Sequence, residues 1–337
     1  MTIGILLINL GTPVAPTTPA VRRYLREFLM DERVIDLPAL VRTILVRGII
    51  IPFRARKSAH AYQSIWTDEG SPLLVNSERL KHKLADRLGH DYCVALGMRY
   101  GYPDIDLAVT QLAHCDKLIV IPLFPQYSSA ATGSAVQKTM KTLSCHWNIP
   151  DITMINQFYN HAGFIRAYAD VIAKHRQPDD FLLMSYHGLP ERHIEKSQCR
   201  AKCDRQSACP VMSQDNNFCY RAQCYETSRL LASALQLSAD QYAVSFQSRL
   251  GKTPWIKPYT DLVLPELFQK GIRHVSVVCP AFVADCLETL EEVGMRLREQ
   301  WQDLGGQRFT LIPCLNDESS WVDCLVGWAS QAQPSLR

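Results

Sequence analysis

Four stretches of the chain are almost wholly apolar, and each stops at a turn-forming cluster. Residues 4–9 run into Leu10-Gly11-Thr12-Pro13, and residues 117–122, 181–185 and 274–279 end in a similar way. Short continuous apolar runs bounded by Gly and Pro predict buried strands. Between them apolar residues recur at helical spacing over residues 18–30, 77–88, 163–175, 224–235 and 284–301. Strand alternating with helix predicts an α/β protein with parallel sheets. GILLINLGTP (residues 4–13) and FLLMSYHGLP (residues 181–190) each place glycine eighth and proline tenth. The echo is read as two similar halves, 1–155 and 156–330, the alternative being two buried strands that end alike by chance. Ligands of open α/β sheets bind beyond the carboxyl ends of strands, so a cleft between the halves is the expected site.

Composition adds limits. The 337 residues are 47% hydrophobic and 20% charged, enough for two cores at about 150 residues per domain. A net charge of +3, from 36 basic and 33 acidic residues without a basic stripe, gives no reason to expect nucleic acid. The opening MTIGILLINLGTP has no basic segment before its apolar run and no small-residue cleavage site after it. Residues 44–53, the most apolar later stretch, are broken by Arg47 and too short to span a bilayer. A cytoplasmic protein is therefore expected, in which twelve cysteines do not make a disulfide framework.

Three segments could carry chemistry. In SYHGLP, His187 follows a strand directly and precedes a glycine. Its imidazole can take a proton or bind metal near neutral pH, although strand-end histidines also serve as hydrogen-bonded structural residues. In PAFVADCLETLEE, Asp285, Glu288 and Glu292 fall on one stripe, with Leu290, Val293, Leu297 and Trp301 on the opposing apolar one. That stripe reads either as a path for metal or protons or as an ordinary solvated face beside a helix N-terminus. FQSRLGKTPWIKPYT and FPQYSSAATGS follow strands and mix aromatics, hydroxyls and bases. Either could stack on a flat ring and hold its carboxylates, or could be a packed turn. The second lacks the glycine cradle and Lys-Ser or Lys-Thr of a phosphate loop.

These segments, with INLGTP, VRRYLREFLMDERVIDLP, SIWTDEGSPL and MRYGYPDI, make the chain similar to the ferrochelatase family over residues 4–328. The resemblance implies two Rossmann-like, chelatase-like domains. It also implies insertion of Fe²⁺ into protoporphyrin IX with release of two protons, giving protohaem. It implies His187 as proton acceptor or metal ligand and Glu288 as the acid facing it across the ring. Asp285 and Glu292 become a proton or metal path. Arg99, Tyr100, Tyr127, Ser128 and Trp255 become porphyrin-pocket positions. Residues 37–53 resemble the pocket lip, through which the family meets a membrane surface or a partner. Some members carry histidine where Cys286 stands, so no ligand role is carried to that position. Leu10 stands where the coproporphyrin-using branch commonly has tyrosine, which favours protoporphyrin. Other readings are a chelatase for another metal or tetrapyrrole, and a non-catalytic porphyrin or haem carrier.

Residues 191–226 hold Cys199, Cys203, Cys209, Cys219 and Cys224 among mostly polar neighbours. A segment with so little apolar surface needs a staple, and thiolate ligation of zinc or an iron–sulfur cluster would supply one. The gaps fit no standard zinc-finger spacing. Some ferrochelatases resemble this chain in carrying a [2Fe–2S] cluster on an internal insert, which points to Cys199, Cys203, Cys209 and Cys219 as ligands. Cys224, on the following helix, is left out.

Overall fold

The computed structural model describes residues 2–197, 199, 208–249, 251 and 253–331. Chain contacts divide into two units. The first comprises the residues up to Phe124, Ser128–Gln157 and the described residues from Asn316 on; the second comprises Pro125–Tyr127 and Phe158–Leu315.

The first unit is built on β1 (Ile3–Thr12), β2 (Tyr92–Gly101), β3 (Lys117–Pro122) and β4 (Asp151–Met154), parallel and ordered β2-β1-β3-β4. The second repeats that order with β5 (Phe181–His187), β6 (Tyr242–Gln247), β7 (His274–Val278) and β8 (Arg308–Leu311), as β6-β5-β7-β8. Parallel neighbours need crossover connections, and helices such as Pro72–Leu88 and Tyr220–Ala234 supply them. The two Rossmann-like sheets of the α/β expectation are therefore present. Their cores are aliphatic: Leu6, Ile8 and Val120 in the first, Leu183, Val277 and Leu297 in the second. Each such side chain contributes about 2 kcal/mol by leaving water.

β1 outruns its expected end at residue 9. Gly11 and Thr12 keep pairing with Tyr100 and Gly101. At Gly11 φ is +113°, and a Cβ there would lie 1.7 Å from the Tyr100 carbonyl oxygen. Only glycine allows that approach, so the strand passes through what the sequence marks as a turn.

The expected helix over 284–301 starts later and winds differently. Glu288–Leu297 is π-helical, with i→i+5 hydrogen bonds, and Arg298–Asp303 continues it as α-helix. An i→i+5 ladder puts more residues in each turn, so its buried row is Thr289, Val293, Leu297 and Trp301, every fourth residue. Leu290 does not complete that row as α-helical spacing predicts. The helix Ser319–Gln331 follows the second unit in the chain but belongs to the first. It packs on helix Pro72–Leu88 and buries Trp321 and Trp328, whose rings meet edge to face at 5.6 Å. An ion pair from Lys83 to Asp317 at 2.6 Å and another between Arg87 and Asp323 flank the contact.

Candidate active site

In the second unit, β5 ends at His187 and the backbone turns at once. Gly188 N–H donates to the Gln247 carbonyl at 2.8 Å. A Cβ on residue 188 would come within 2.7 Å of that oxygen and 3.2 Å of the Trp255 ring, so glycine is required for the turn. His187 Nδ1 lies 2.6 Å from the Gly188 carbonyl oxygen. A carbonyl only accepts, so Nδ1 carries the hydrogen and the lone pair is left on Nε2. Trp255 and Phe282 flank the imidazole, with ring centroids 6.4 and 6.2 Å away. Trp255 is held by a strand-like bridge to Pro190, and the Ile256 N–H donates to the Leu189 carbonyl at 2.9 Å.

The acids arrive on the π-helical segment after β7. Gln247, buried at the end of β6, ties them to the histidine strand: its Oε1 accepts from Ser185 Oγ at 2.7 Å, and its Nε2 donates to the Glu288 carbonyl at 3.0 Å. Glu292 accepts from Ser248 twice, from N–H at 2.9 Å and from Oγ at 2.5 Å. Ser248 sits at φ +68°, in the left-handed region, which costs a non-glycine residue about 1 kcal/mol or more. The carboxylate offsets that strain. Burial pushes the Glu292 carboxyl above the usual range, while the Ser248 hydrogen bond, the Arg296 guanidinium and the His187 imidazole pull it back and Glu288 pushes it further up. Glu292 is thus within electrostatic reach of both His187 and Glu288. Asp285 precedes the π-helical segment. Its buried carboxylate accepts from Thr289 Oγ1 at 2.9 Å and faces the Cys314 N–H at 3.3 Å, ahead of the helix rather than on it.

Tyr127, also in the second unit, donates its N–H to Gln223 Oε1 at 2.7 Å. The remaining porphyrin-pocket positions lie in the first unit. Leu10 is half-buried near the end of β1. Arg99 donates to Asp31 Oδ2 and to Ser134 Oγ, both at 2.6 Å, and stacks on Tyr100 at 4.5 Å. Tyr100 is fully buried and donates its hydroxyl to the same Asp31 oxygen at 2.9 Å, so it acts there by holding the Asp31–Arg99 pair. Burial alone pushes Asp31 up, but hydrogen bonds from Ser134, the Arg33 N–H and Tyr100, with the Arg99 charge, hold it below the usual range. Ser128 Oγ accepts from the Ala131 N–H at 3.1 Å, capping a short π-helical turn, Ser129–Gly133.

Cys203 lies outside the described residues. Of the other expected cluster ligands, Cys209 and Cys219 are buried and Cys199 is half-buried. Burial first, then the nearby Cys199 and Cys209, pushes the Cys219 thiol up to about 12. Cys224, buried on helix Tyr220–Ala234, responds to both Cys209 and Cys219. Arg221, 2% exposed, donates from Nη1 to Cys209 Sγ at 2.9 Å. The three described thiols of the expected donor set thus gather in one place, as a thiol-held cluster requires.

Gln247, Ser248 and Phe282 were not singled out in the sequence. Their only signal is position, at or just past the ends of β6 and β7 inside the quoted FQSRLGKTPWIKPYT and PAFVADCLETLEE.

Two such parallel sheets are shared with known chelatases. The chain superposes on SirB from Bacillus subtilis, solved with Fe³⁺, with a TM-score of 0.52 and 10% identity over 98% of this chain and 95% of that one. CbiX, the terminal enzyme of sirohaem biosynthesis in denitrifying bacteria, gives 0.50 and 13% over 98% and 100%. At these identities the likeness is one of fold, and the fold is that of chelatases. The sequence narrows it further. The ferrochelatase family model matches residues 2–333. Ferrochelatase from Legionella pneumophila is 54% identical over 322 residues, covering 96% of this chain and 97% of that protein. Ferrochelatase from Coxiella burnetii is 52% identical over 341 residues, covering 99% and 94%. The chain belongs to the ferrochelatase family, metal-insertion enzymes that place Fe²⁺ in a porphyrin to form haem.

Proposed function

We propose that this chain inserts Fe²⁺ into protoporphyrin IX at His187, with Glu288 as the facing acid and Glu292 and Asp285 as the way out for protons. The observation that carries the proposal is the Gln247 bridge, which accepts from Ser185 on the His187 strand and donates to the Glu288 carbonyl. Free porphyrin holds two N–H protons within a stiff ring, and the metal cannot enter while they remain. A pocket that binds the ring bent favours the transition state, because bending exposes nitrogen lone pairs. The Nε2 lone pair of His187 takes a pyrrole proton, since Nδ1 is committed to the Gly188 carbonyl. Glu288 offsets the charge that develops. Glu292, raised by burial, accepts and releases protons closer to neutrality than an exposed glutamate. Asp285 forms the buried end of the path. Imidazole and carboxylate hold Fe²⁺ without the grip of several thiolates, so the metal passes on to the ring.

Trp255 and Tyr127 offer aromatic surface to the porphyrin, and Arg99 and Ser128 offer polar contacts to its propionates. Leu10 favours protoporphyrin over coproporphyrin. A [2Fe–2S] cluster on Cys199, Cys203, Cys209 and Cys219 completes the proposal, and its part is to staple the insert. Exposed Leu40, Ile44, Ile49 and Phe53 form an apolar lip suited to peripheral contact with a membrane surface in the cytoplasm. Among the described residues no helix is long and apolar enough to cross a membrane.

The test is anaerobic Fe²⁺ insertion into protoporphyrin, followed by loss of porphyrin fluorescence, with wild type and His187→Ala in parallel. Turnover by wild type alone supports the assignment. Turnover retained by His187→Ala removes the histidine from the chemistry. Binding without turnover in both points to a carrier or to another ring.

A further inference from the structure

A second constellation of metal-binding groups lies in the first unit, at the opposite end of its sheet from Leu10. Cys93 is the second residue of β2, and His114 and Cys115 stand just before β3. One ligand atom from each lies within 4.8 Å of the others. His114 Nε2 is 3.4 Å from Cys93 Sγ and 3.9 Å from Cys115 Sγ, so a single ring nitrogen faces both sulfurs.

Cys93 lies on β2 and Cys115 two residues ahead of β3, and those strands are not neighbours. β1 lies between β2 and β3, with Gly4 opposite Cys93 on one side and Leu118 on the other. A Cβ on residue 4 would sit 3.2 Å from Cys115 Sγ, tighter than ordinary contact. The missing side chain on the central strand lets the thiols reach each other over it. The loop carrying His114 and Cys115 is fixed from both ends: the Cys115 N–H donates to the Leu112 carbonyl at 3.0 Å, and Asp116 exchanges hydrogen bonds with Thr2 at 2.8 and 2.9 Å.

We propose that Cys93, His114 and Cys115 bind a soft divalent ion of the Zn²⁺ class, with a fourth position open to water beside the exposed His114. Bond lengths of about 2.3 Å to sulfur and about 2.0 Å to nitrogen put tetrahedral S and N ligands roughly 3.5 Å apart. The distances of 3.4 and 3.9 Å bracket that spacing. Two thiolates neutralise the 2+ charge, and with one imidazole they form a donor set that takes Zn²⁺ well ahead of Fe²⁺. Gly4 and Leu10 are six positions apart on β1, about 20 Å along a strand, so this site is separate from the residues assigned to porphyrin in this unit. A metal here ties β2 to the approach to β3 across β1.

Co²⁺ is the spectroscopic probe, added without porphyrin to the full-length protein under reducing, anaerobic conditions. One equivalent should give sulfur-to-cobalt charge transfer with strong tetrahedral d–d bands, both abolished by Zn²⁺. The bands should vanish in Cys93→Ser and in Cys115→Ser, and His114→Ala should weaken binding about tenfold or more. They should persist in Cys209→Ser and His187→Ala, which alter the other thiol and imidazole sites. Bands that survive in Cys93→Ser/Cys115→Ser, or that never form in wild type, overturn the site. Alkylation of the wild-type protein needs no variant to fold: Zn²⁺ should slow modification of Cys93 and Cys115, mapped by mass spectrometry, about tenfold. Unchanged rates, or a Cys93–Cys115 disulfide under those reducing conditions, overturn it equally.

Discussion

Both units carry four parallel strands in one order, and in both an inner strand reaches the echoed glycine; β5 turns at Gly188, whereas β1 runs on through Gly11. Aligned on that echo, Asn9-Leu10-Gly11 of the first matches Tyr186-His187-Gly188 of the second. Each third strand leads through a proline-containing loop to a π-helical segment: Ser129–Gly133 after β3, Glu288–Leu297 after β7. The frame is duplicated, but what it displays is not. The first unit shows a leucine and a run of small residues, and its nearby charges, Arg99 and Asp31, neutralise each other. The second shows an imidazole and a buried glutamate, Glu292, raised by burial and by the neighbouring Glu288. Backbone geometry supplies two equivalent places for chemistry, and side-chain identity at a few positions selects one.

The largest expected effect tests that asymmetry directly. His187→Ala should lower Fe²⁺ insertion by about 10²-fold or more, as loss of a positioned proton acceptor does. Adding Leu10→His to that variant should restore nothing, because the first unit has no acid equivalent to Glu288; recovered turnover would break the comparison. Glu288→Gln should lower turnover by about 10²-fold in the same fluorescence assay, with porphyrin still bound. Next come the paired glycines. Gly11→Ala meets a carbonyl at 1.7 Å at φ +113°, whereas Gly188→Ala meets one at 2.7 Å. Urea unfolding should show about 3 kcal/mol lost for the first and roughly half that for the second; equal losses would mean the two turns are not built differently. Asp31→Asn should cost about 3 kcal/mol by leaving Arg99 without its charge partner, read in the same titration.

The smallest effect sharpens the contrast through pH. Asp31 is held below the unfolded value, so its stabilisation is present above that value and is lost as pH falls through the folded one. Glu292 is raised, so the native state holds its proton longer, and stability is lost as pH rises from the unfolded value through the folded one. Melting temperatures from pH 3 upward should therefore shift in opposite senses in Asp31→Asn and Glu292→Gln relative to wild type.

How much of this the sequence exposes depends on burial. β1, β3, β5 and β7 are flanked on both sides, so their apolar runs are continuous and legible. β4 and β8 are four-residue edge strands of mostly intermediate burial, and no run betrays them. His187, Glu288 and Glu292 are legible because their side chains carry acid–base chemistry at positions that follow strands. Gln247 is not, since its importance lies in two hydrogen bonds that depend on the register of β5 with β6 and on the π-helical winding. That winding also hides Thr289 from an α-helical count. Cys93 and Cys115 are brought together by a strand threading between them, which no spacing rule encodes.

The helix Ser319–Gln331 has a consequence for how the protein is made. On the ribosome, helix Pro72–Leu88 emerges long before the partner that covers it. At about 5–20 residues per second, the delay from Leu88 to Ser319 is roughly 10–50 s. During that interval β5 to β8 can all be synthesised and assembled, while the first unit waits with the docking surface for Trp321 and Trp328 bare. The unit begun first is therefore completed last, and newly made chains pass through a stage in which an apolar face of the older half is open to chaperones.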